Sequence, residues 1–247
     1  MTKIDVFLLA AGDANRMFPL NQIMEKSLLP VNGKPVIRHI VENLTQPEVA
    51  KHLRKITICC NIKFKKQFEH EFRDMPNIKF DLTRTANGTH TAWKYMIWHQ
   101  GYLGYKTRNI TEWSMVHYAD CLTDINNADF ILKINNEFDG LIAVTNTVKH
   151  DYSEVICISP DRDLPIRNVN SFYEKPKISN YTWSGIGLFK TEKVEKLGED
   201  RSGIDFAIDI FPQMIEQRKL KAYPYNGFWY DVGNLNSYRK VFEMFKE

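Results

Sequence analysis

The chain is poor in most of the features that single out specialised protein classes. Cysteine occurs four times in 247 residues, as Cys59, Cys60, Cys121 and Cys157. Two of these are adjacent inside the apolar run Ile56–Ile62 and no C-x-x-C pair occurs, so neither a disulfide framework nor a zinc site is expected. The longest purely apolar run, Val6–Ala11, falls far short of the roughly 18 residues that a membrane span needs. It follows Lys3 and Asp5 and leads into a Gly-containing turn rather than a cleavage site, so no targeting segment is read. A cytoplasmic protein without a membrane partner is expected. Charge of one sign is also lacking. Lys and Arg total 33 against 30 Asp and Glu, a net charge of +3, which demands no nucleic-acid partner. Internal repeats, low-complexity tracts and Ser/Gly-rich linkers are absent. With 12 Gly and 10 Pro among 43% hydrophobic and 26% charged residues, collagen-like, disordered and coiled-coil chains are excluded.

What is present is an alternation of strands and helices. Ile4–Ala10 reads as a strand buried on both faces, as in a parallel sheet. The segment Gly12–Gly33 reads as a loop with at most a short helical turn. Pro35 then opens a helix whose Val36, Ile37, Ile40, Val41 and Leu44 share one face. Strands are expected at Lys55–Ile62, Ile78–Leu82 and Ser114–Tyr118, with helices at Phe64–Arg73 and Thr89–Gln100. The later part is richer in strands: Gly140–Asn146, Ser153–Ser159, Val169–Tyr173, Ile186–Lys190 and Leu220–Pro224. It also carries helices at Ile204–Gln217 and Leu235–Phe245. The pattern predicts an α/β fold, a Rossmann-like doubly wound mixed sheet in three α/β/α layers. One domain over residues 1–247 is expected, with the strand-rich second half folded against the first sheet.

In open α/β sheets, ligands bind beyond the carboxyl ends of the strands. The loop after the first strand, Leu9-Ala10-Ala11-Gly12 running on to Arg16, carries small residues that let a backbone approach phosphate closely. Arg16 and Lys26 flank it with two cations that suit a triphosphate, although an ordinary turn with solvated charges has the same composition. Val116-His117-Tyr118-Ala119-Asp120 and Trp229-Tyr230-Asp231 each end an apolar strand in a carboxylate. Such groups hold Mg²⁺ or, equally, cap a helix or a turn.

These pieces, taken in order, resemble one family. The series Leu9-Ala10-Ala11-Gly12, Arg16-Met17, Pro19-Leu20 and Lys26-x-Leu28-Leu29-Pro30-Val31-x-Gly33-Lys34-Pro35 resembles the opening signature of the sugar-1-phosphate nucleotidylyltransferases. Gly88-Thr89, Asp120, Glu174-Lys175-Pro176, Gly185 and Asp231-Val232-Gly233 resemble its later motifs, in order and rough spacing over essentially the whole chain.

The resemblance implies a Mg²⁺-dependent enzyme. It would transfer NMP from a nucleoside triphosphate to a sugar 1-phosphate and release pyrophosphate. By the same resemblance, Leu9, Ala10, Ala11, Gly12, Asn87, Gly88 and Thr89 contact the nucleotide, in a half spanning about 1–125. Arg16 and Lys26 act on the phosphates, Asp120 and Asp231 carry Mg²⁺, and Glu174, Lys175 and Gly185 bind the acceptor in a half spanning about 126–247. The nucleophile is already an anion, so no general base is expected.

Three departures stand out: Ala14 replaces the second loop glycine, Glu25 replaces a common proline, and Ser184 replaces a common asparagine. The chain ends at Glu247 without a hexapeptide-repeat tail, so a bifunctional arrangement is not expected. The base leans to uridine or cytidine by resemblance, and self-association into a homo-oligomer is left open. The alternatives are a cytidylyltransferase for a non-sugar phosphate such as phosphocholine or a phosphorylated amino acid, with Tyr181, Trp183 or Trp229 as a cage for a quaternary amine, and a noncatalytic nucleotide-binding relative. A dinucleotide fingerprint fails at Ala14 and Met17, and a P-loop fails because Pro35 follows Gly33-Lys34.

Overall fold

The computed structural model describes residues 3–83, 88–102, 110–146, 154–158, 167–174, 181–198 and 202–245. In chain order the strands and helices are β1 (Ile4–Ala10), β2 (Pro30–Val31), β3 (Lys34–Pro35), α1 (Val36–Leu44), α2 (Pro47–Ala50), β4 (Leu53–Asn61), α3 (Lys65–Glu71), β5 (Ile78–Thr83), α4 (Thr89–Tyr102) and β6 (Trp113–Tyr118). There follow β7 (Cys121–Thr123), α5 (Asn127–Leu132), β8 (Gly140–Thr145), β9 (Glu154–Ile158), β10 (Arg167–Glu174), β11 (Thr182–Lys190), α6 (Thr191–Glu195), α7 (Phe211–Glu216), β12 (Leu220–Tyr225), β13 (Trp229–Asp231) and α8 (Leu235–Met244). None of the described helices is long and apolar enough to cross a membrane.

Among the described residues, nine strands form one mixed sheet in the order β5-β4-β1-β6-β11-β8-β12-β10-β9. The α/β class is as the sequence predicts, but the second half does not fold against the first sheet. It continues that sheet, because β11 pairs antiparallel with β6 through Ile186–His117 to Lys190–Trp113. The apolar run of β1 explains why this strand lies inside the sheet. Ile4, Val6, Leu8 and Ala10 enter one core cluster with α1, while Phe7, Leu9 and Ala11 enter the other with Trp93 and Met96 of α4. Period-two alternation with apolar residues on both faces requires cover on both faces.

α1 buries the five residues that its spacing singles out. The expected helix 204–217 begins instead as a π-helical turn, Phe206–Ile210, before α7. Pro212 has no N–H for the carbonyl four residues back, and the Ile210 amide reaches the Asp205 carbonyl at 3.3 Å, five residues back. The expected loop 12–33 is more structured than its composition suggests. It holds three 3₁₀ turns, at Asn15–Met17, Leu20–Gln22 and Lys26–Leu28, and then the β2–β3 pair.

Candidate active site

β1 runs parallel to both β4 and β6, so their carboxyl ends share one edge of the sheet. The Ala119 amide donates to the Leu9 carbonyl at 3.1 Å, which fixes the turn bearing Asp120 beside the loop that starts at Ala11. Asp231 arrives by a different route from the one expected. Its strand, β13, lies outside the main sheet and pairs with β7, placing Asp231 directly opposite Cys121. The Val232 amide donates to the Asp120 carbonyl at 2.9 Å and closes this link. Residues 120 and 231 therefore meet, with one carboxylate oxygen of each and the Cys121 Sγ all within 4.8 Å of one another.

Lys26 forms an ion pair with Asp120, and the two side chains are only 18% and 9% exposed. Its 3₁₀ turn is capped by Glu25, whose Oε2 accepts from the Ser27 amide at 2.6 Å and from the Ser27 hydroxyl. Glu25 therefore faces away from the anion site, buried, with burial pushing its carboxyl up to about 7. Burial opposes the charge of Lys26, yet Asp120, Glu25 and Asp231 outweigh it and hold the ammonium above its usual range. Burial likewise opposes the charge of Asp120, but Lys26 keeps that carboxyl below its usual range. The Asp231 carboxylate makes no hydrogen bond or ion pair among the described residues. Burial and the neighbouring Asp120 push its carboxyl up to about 7. Arg16 is exposed at the rim. A side chain at Gly233 would come within 2.7 Å of the Asp231 oxygens and 3.1 Å of an Arg16 guanidinium nitrogen, so glycine there lets the two lie side by side.

Two cavities meet at this cluster. One, of about 270 Å³, is lined by Leu9, Ala11, Gly12, Gly88, Thr89, Asp205 and neighbouring residues. The other, of about 200 Å³, is lined by Arg16, Cys121, Thr182, Trp183, Gly185, Trp229 and Asp231. Lys26, Tyr118 and Asp120 line both. Of the described residues singled out for the nucleotide, only Ala10 points elsewhere, into the core on the opposite face of the sheet. Asn87 and Lys175 lie outside the described residues. Glu174 ends β10, where Tyr173 pairs with Val155, and Val155 also pairs with Thr182 at the cavity wall. Ser184 does not reach the cavity. It is fully buried and donates to the Ala143 carbonyl at 3.0 Å. Ala14 adopts the left-handed conformation that glycine takes most easily, at φ 51°.

Several residues escaped the sequence reading. Asp205 accepts from both the Thr89 amide (2.8 Å) and hydroxyl (2.9 Å), anchoring the Gly88-Thr89 segment. Gly88 sits at φ +78°, and a Cβ there would lie 2.3 Å from the Ile204 carbonyl oxygen. Tyr118 and Cys121 carry no motif of their own. Cys121 was legible only as the neighbour of Asp120. The indoles of Trp183 and Trp229 donate to the carbonyls of Ile186 (3.0 Å) and Ser184 (2.8 Å), so both rings are fixed parts of the wall. Tyr181 does not line either cavity.

Comparison with known proteins adds a family. The nucleotidyl transferase family model matches residues 6–247. The bifunctional protein GlmU of Methanococcus maripaludis is 24% identical over 238 residues, covering 94% of this chain and 52% of that protein. A Sulfolobus acidocaldarius protein, provisionally named a mannose-1-phosphate guanyltransferase, is 25% identical over 245 residues, covering 96% of this chain and 62% of its own. The chain thus spans about half to three-fifths of the length of these curated relatives. A Bacillus anthracis structure provisionally named a glucose-1-phosphate thymidylyltransferase superposes with a TM-score of 0.79 at 18% identity, covering 99% of this chain and 96% of its own.

Proposed function

The chain belongs to the nucleotidyl transferase family, and on that basis we propose that it transfers NMP from a nucleoside triphosphate to a sugar 1-phosphate, forming a nucleoside diphosphate sugar and releasing pyrophosphate. The observation that carries this reading is the meeting of two cavities at one Lys26–Asp120 pair, with Asp231 and Arg16 beside it. A reaction between two phosphorylated substrates needs such an arrangement, because two like unit charges 4 Å apart repel by about 4 kcal/mol at an effective dielectric near 20.

The cavity at Gly12, Gly88 and Thr89 takes the nucleotide, and Asp205 holds Thr89 in place for it. Lys26 stands at the junction, where the α-phosphate lies, and Arg16 at the rim meets the departing pyrophosphate. The cavity at Gly185 takes the acceptor, with Glu174 and Lys175 as its expected partners. The attacking phosphate oxygen is already anionic, so no residue has to remove a proton. The buried His90 and His117 suit that scheme: burial lowers each to about 4, and neither lines either of these two cavities. Alignment of the two substrates supplies the rest of the rate.

The donors fit Mg²⁺. Asp120 and Asp231 offer hard oxygens within 4.8 Å, and the Asp231 carboxylate makes no hydrogen bond or ion pair among the described residues. These two residues would hold the ion, which when bound supplies positive charge to phosphate oxygens. The sugar-phosphate class is supported by the names of relatives such as the Sulfolobus protein.

The test is pyrophosphate release with Mg²⁺, run as a matrix of nucleoside triphosphates against sugar 1-phosphates and phosphocholine. Release with a sugar 1-phosphate is expected. Release with phosphocholine alone would transfer the assignment to the non-sugar class, and no release with any pair would overturn the reading.

A further inference from the structure

Position 121 faces the site as directly as the two aspartates do. Cys121 and Asp231 are opposite partners in the antiparallel β7–β13 pair, and opposite partners present their side chains on the same face. The Cys121 Sγ lies 3.7 Å from Asp120 Oδ1, inside the cavity wall. Gly185, at φ +76°, is what leaves room for it, since a Cβ there would come within 2.9 Å of the sulfur. The half-buried Asp231 carboxylate is independently incomplete, making no hydrogen bond or ion pair among the described residues. A cluster built only for Mg²⁺ needs no sulfur, because that ion takes oxygen ligands. Thiolate ligands favour softer ions, and one sulfur with two carboxylates leaves a fourth position open for water or phosphate.

We propose that Cys121 adds a thiolate to the Asp120–Asp231 pair and makes this cluster a binding site for thiophilic divalent cations of the Zn²⁺, Co²⁺ and Cd²⁺ class, in competition with Mg²⁺. The inference rests on the reading that Asp120 and Asp231 share a divalent cation. Binding forms a sulfur–metal bond and releases the thiol proton to solvent. Zinc-class ions therefore hold the cluster in place of Mg²⁺, and acid opposes them. Cys59 and Cys60 do not compete, because neither belongs to a comparable cluster of ligand groups among the described residues.

The experiment titrates Co²⁺ alone into the full chain and reads the thiolate-to-cobalt charge-transfer absorption in the near ultraviolet. A saturating band is expected in the wild type and in Cys157→Ser, and it is lost in Cys121→Ser. Asp231→Asn raises the Co²⁺ Kd by about tenfold or more, and excess Mg²⁺ diminishes the band. Circular dichroism checks each fold, and Cys121→Ala replaces the serine variant if that one does not fold. No band in the wild type, a band that survives loss of Cys121, or a Kd indifferent to Asp231→Asn would each overturn the site. Pyrophosphate release by the wild type with Mg²⁺ is followed in parallel. Turnover without a cobalt–thiolate band overturns the sulfur ligand alone. A band without turnover overturns the transferase reading and leaves the metal site standing.

Discussion

Replacing Lys26 by methionine keeps an unbranched apolar side chain of similar length and removes the ammonium group. Asp120 is then left with neither its partner nor water, since its side chain is only 9% exposed, and Asp231 adds a like charge beside it. Breaking a buried pair from one side costs about 3–5 kcal/mol. For a chain of this size each kcal/mol lowers Tm by about 2–4 °C, so Lys26→Met should melt about 6–20 °C lower than the wild type in metal-free buffer. The double variant Lys26→Met/Asp120→Asn removes both charges and should recover about half or more of that loss. The assay is calorimetry or fluorescence-monitored melting of the four proteins of this cycle. A Lys26→Met variant within 2 °C of the wild type, or strictly additive single effects, would refute the claim that the pair is buried and coupled.

Gly88→Ala and Gly33→Ala separate backbone strain from collision. Both glycines sit near φ +77°, but only Gly88 has a carbonyl oxygen within 2.3 Å of the new Cβ, so Gly33→Ala should cost about 1–2 kcal/mol in denaturant unfolding and Gly88→Ala clearly more. Glu25→Gln tests the buried cap. A carboxyl raised from 4.5 to about 7 in the folded state weakens folding above pH 7 and not below pH 4.5. The glutamine variant should therefore gain up to about 3 kcal/mol relative to the wild type between pH 4.5 and pH 8 in urea melts, and a pH-independent difference would contradict the shift. Asp205→Ala removes two charge-assisted bonds to Thr89 and should raise KM for the nucleoside triphosphate by about tenfold or more, with Asp205→Asn restoring much of it in steady-state kinetics.

The parts of the molecule legible in the sequence are those where one physical rule dominates. β1 is an unbroken apolar run and α1 has a sharply one-sided face, and each was located to the residue or nearly so. The helix at 204–217 misled because its apolar spacing continues through Pro212, whose missing N–H widens the turn before it. β7 and β13 have three residues each, too few for any periodicity, yet they bring Asp231 to Asp120. The candidate site was legible as an ordered set of motifs, and Arg16, Lys26, Asp120, Gly185 and Asp231 do line one cavity. What could not be read were partners made by long-range packing. Asp205 reaches Thr89 across 116 residues of chain. The orientation of Glu25 is set locally, by hydrogen bonds from Ser27, a choice that the composition of the turn leaves open.

The account depends on Asp120 and Asp231 acting together on a divalent ion between the two substrates. Its most direct test is the rate of Mg²⁺-supported pyrophosphate release by Asp231→Asn, with folding confirmed by melting. Loss of the ion removes several kcal/mol of charge stabilisation, so the rate should fall by about a thousandfold or more while the fold persists. A folded Asp231→Asn protein that turns over within a few-fold of the wild type would contradict it.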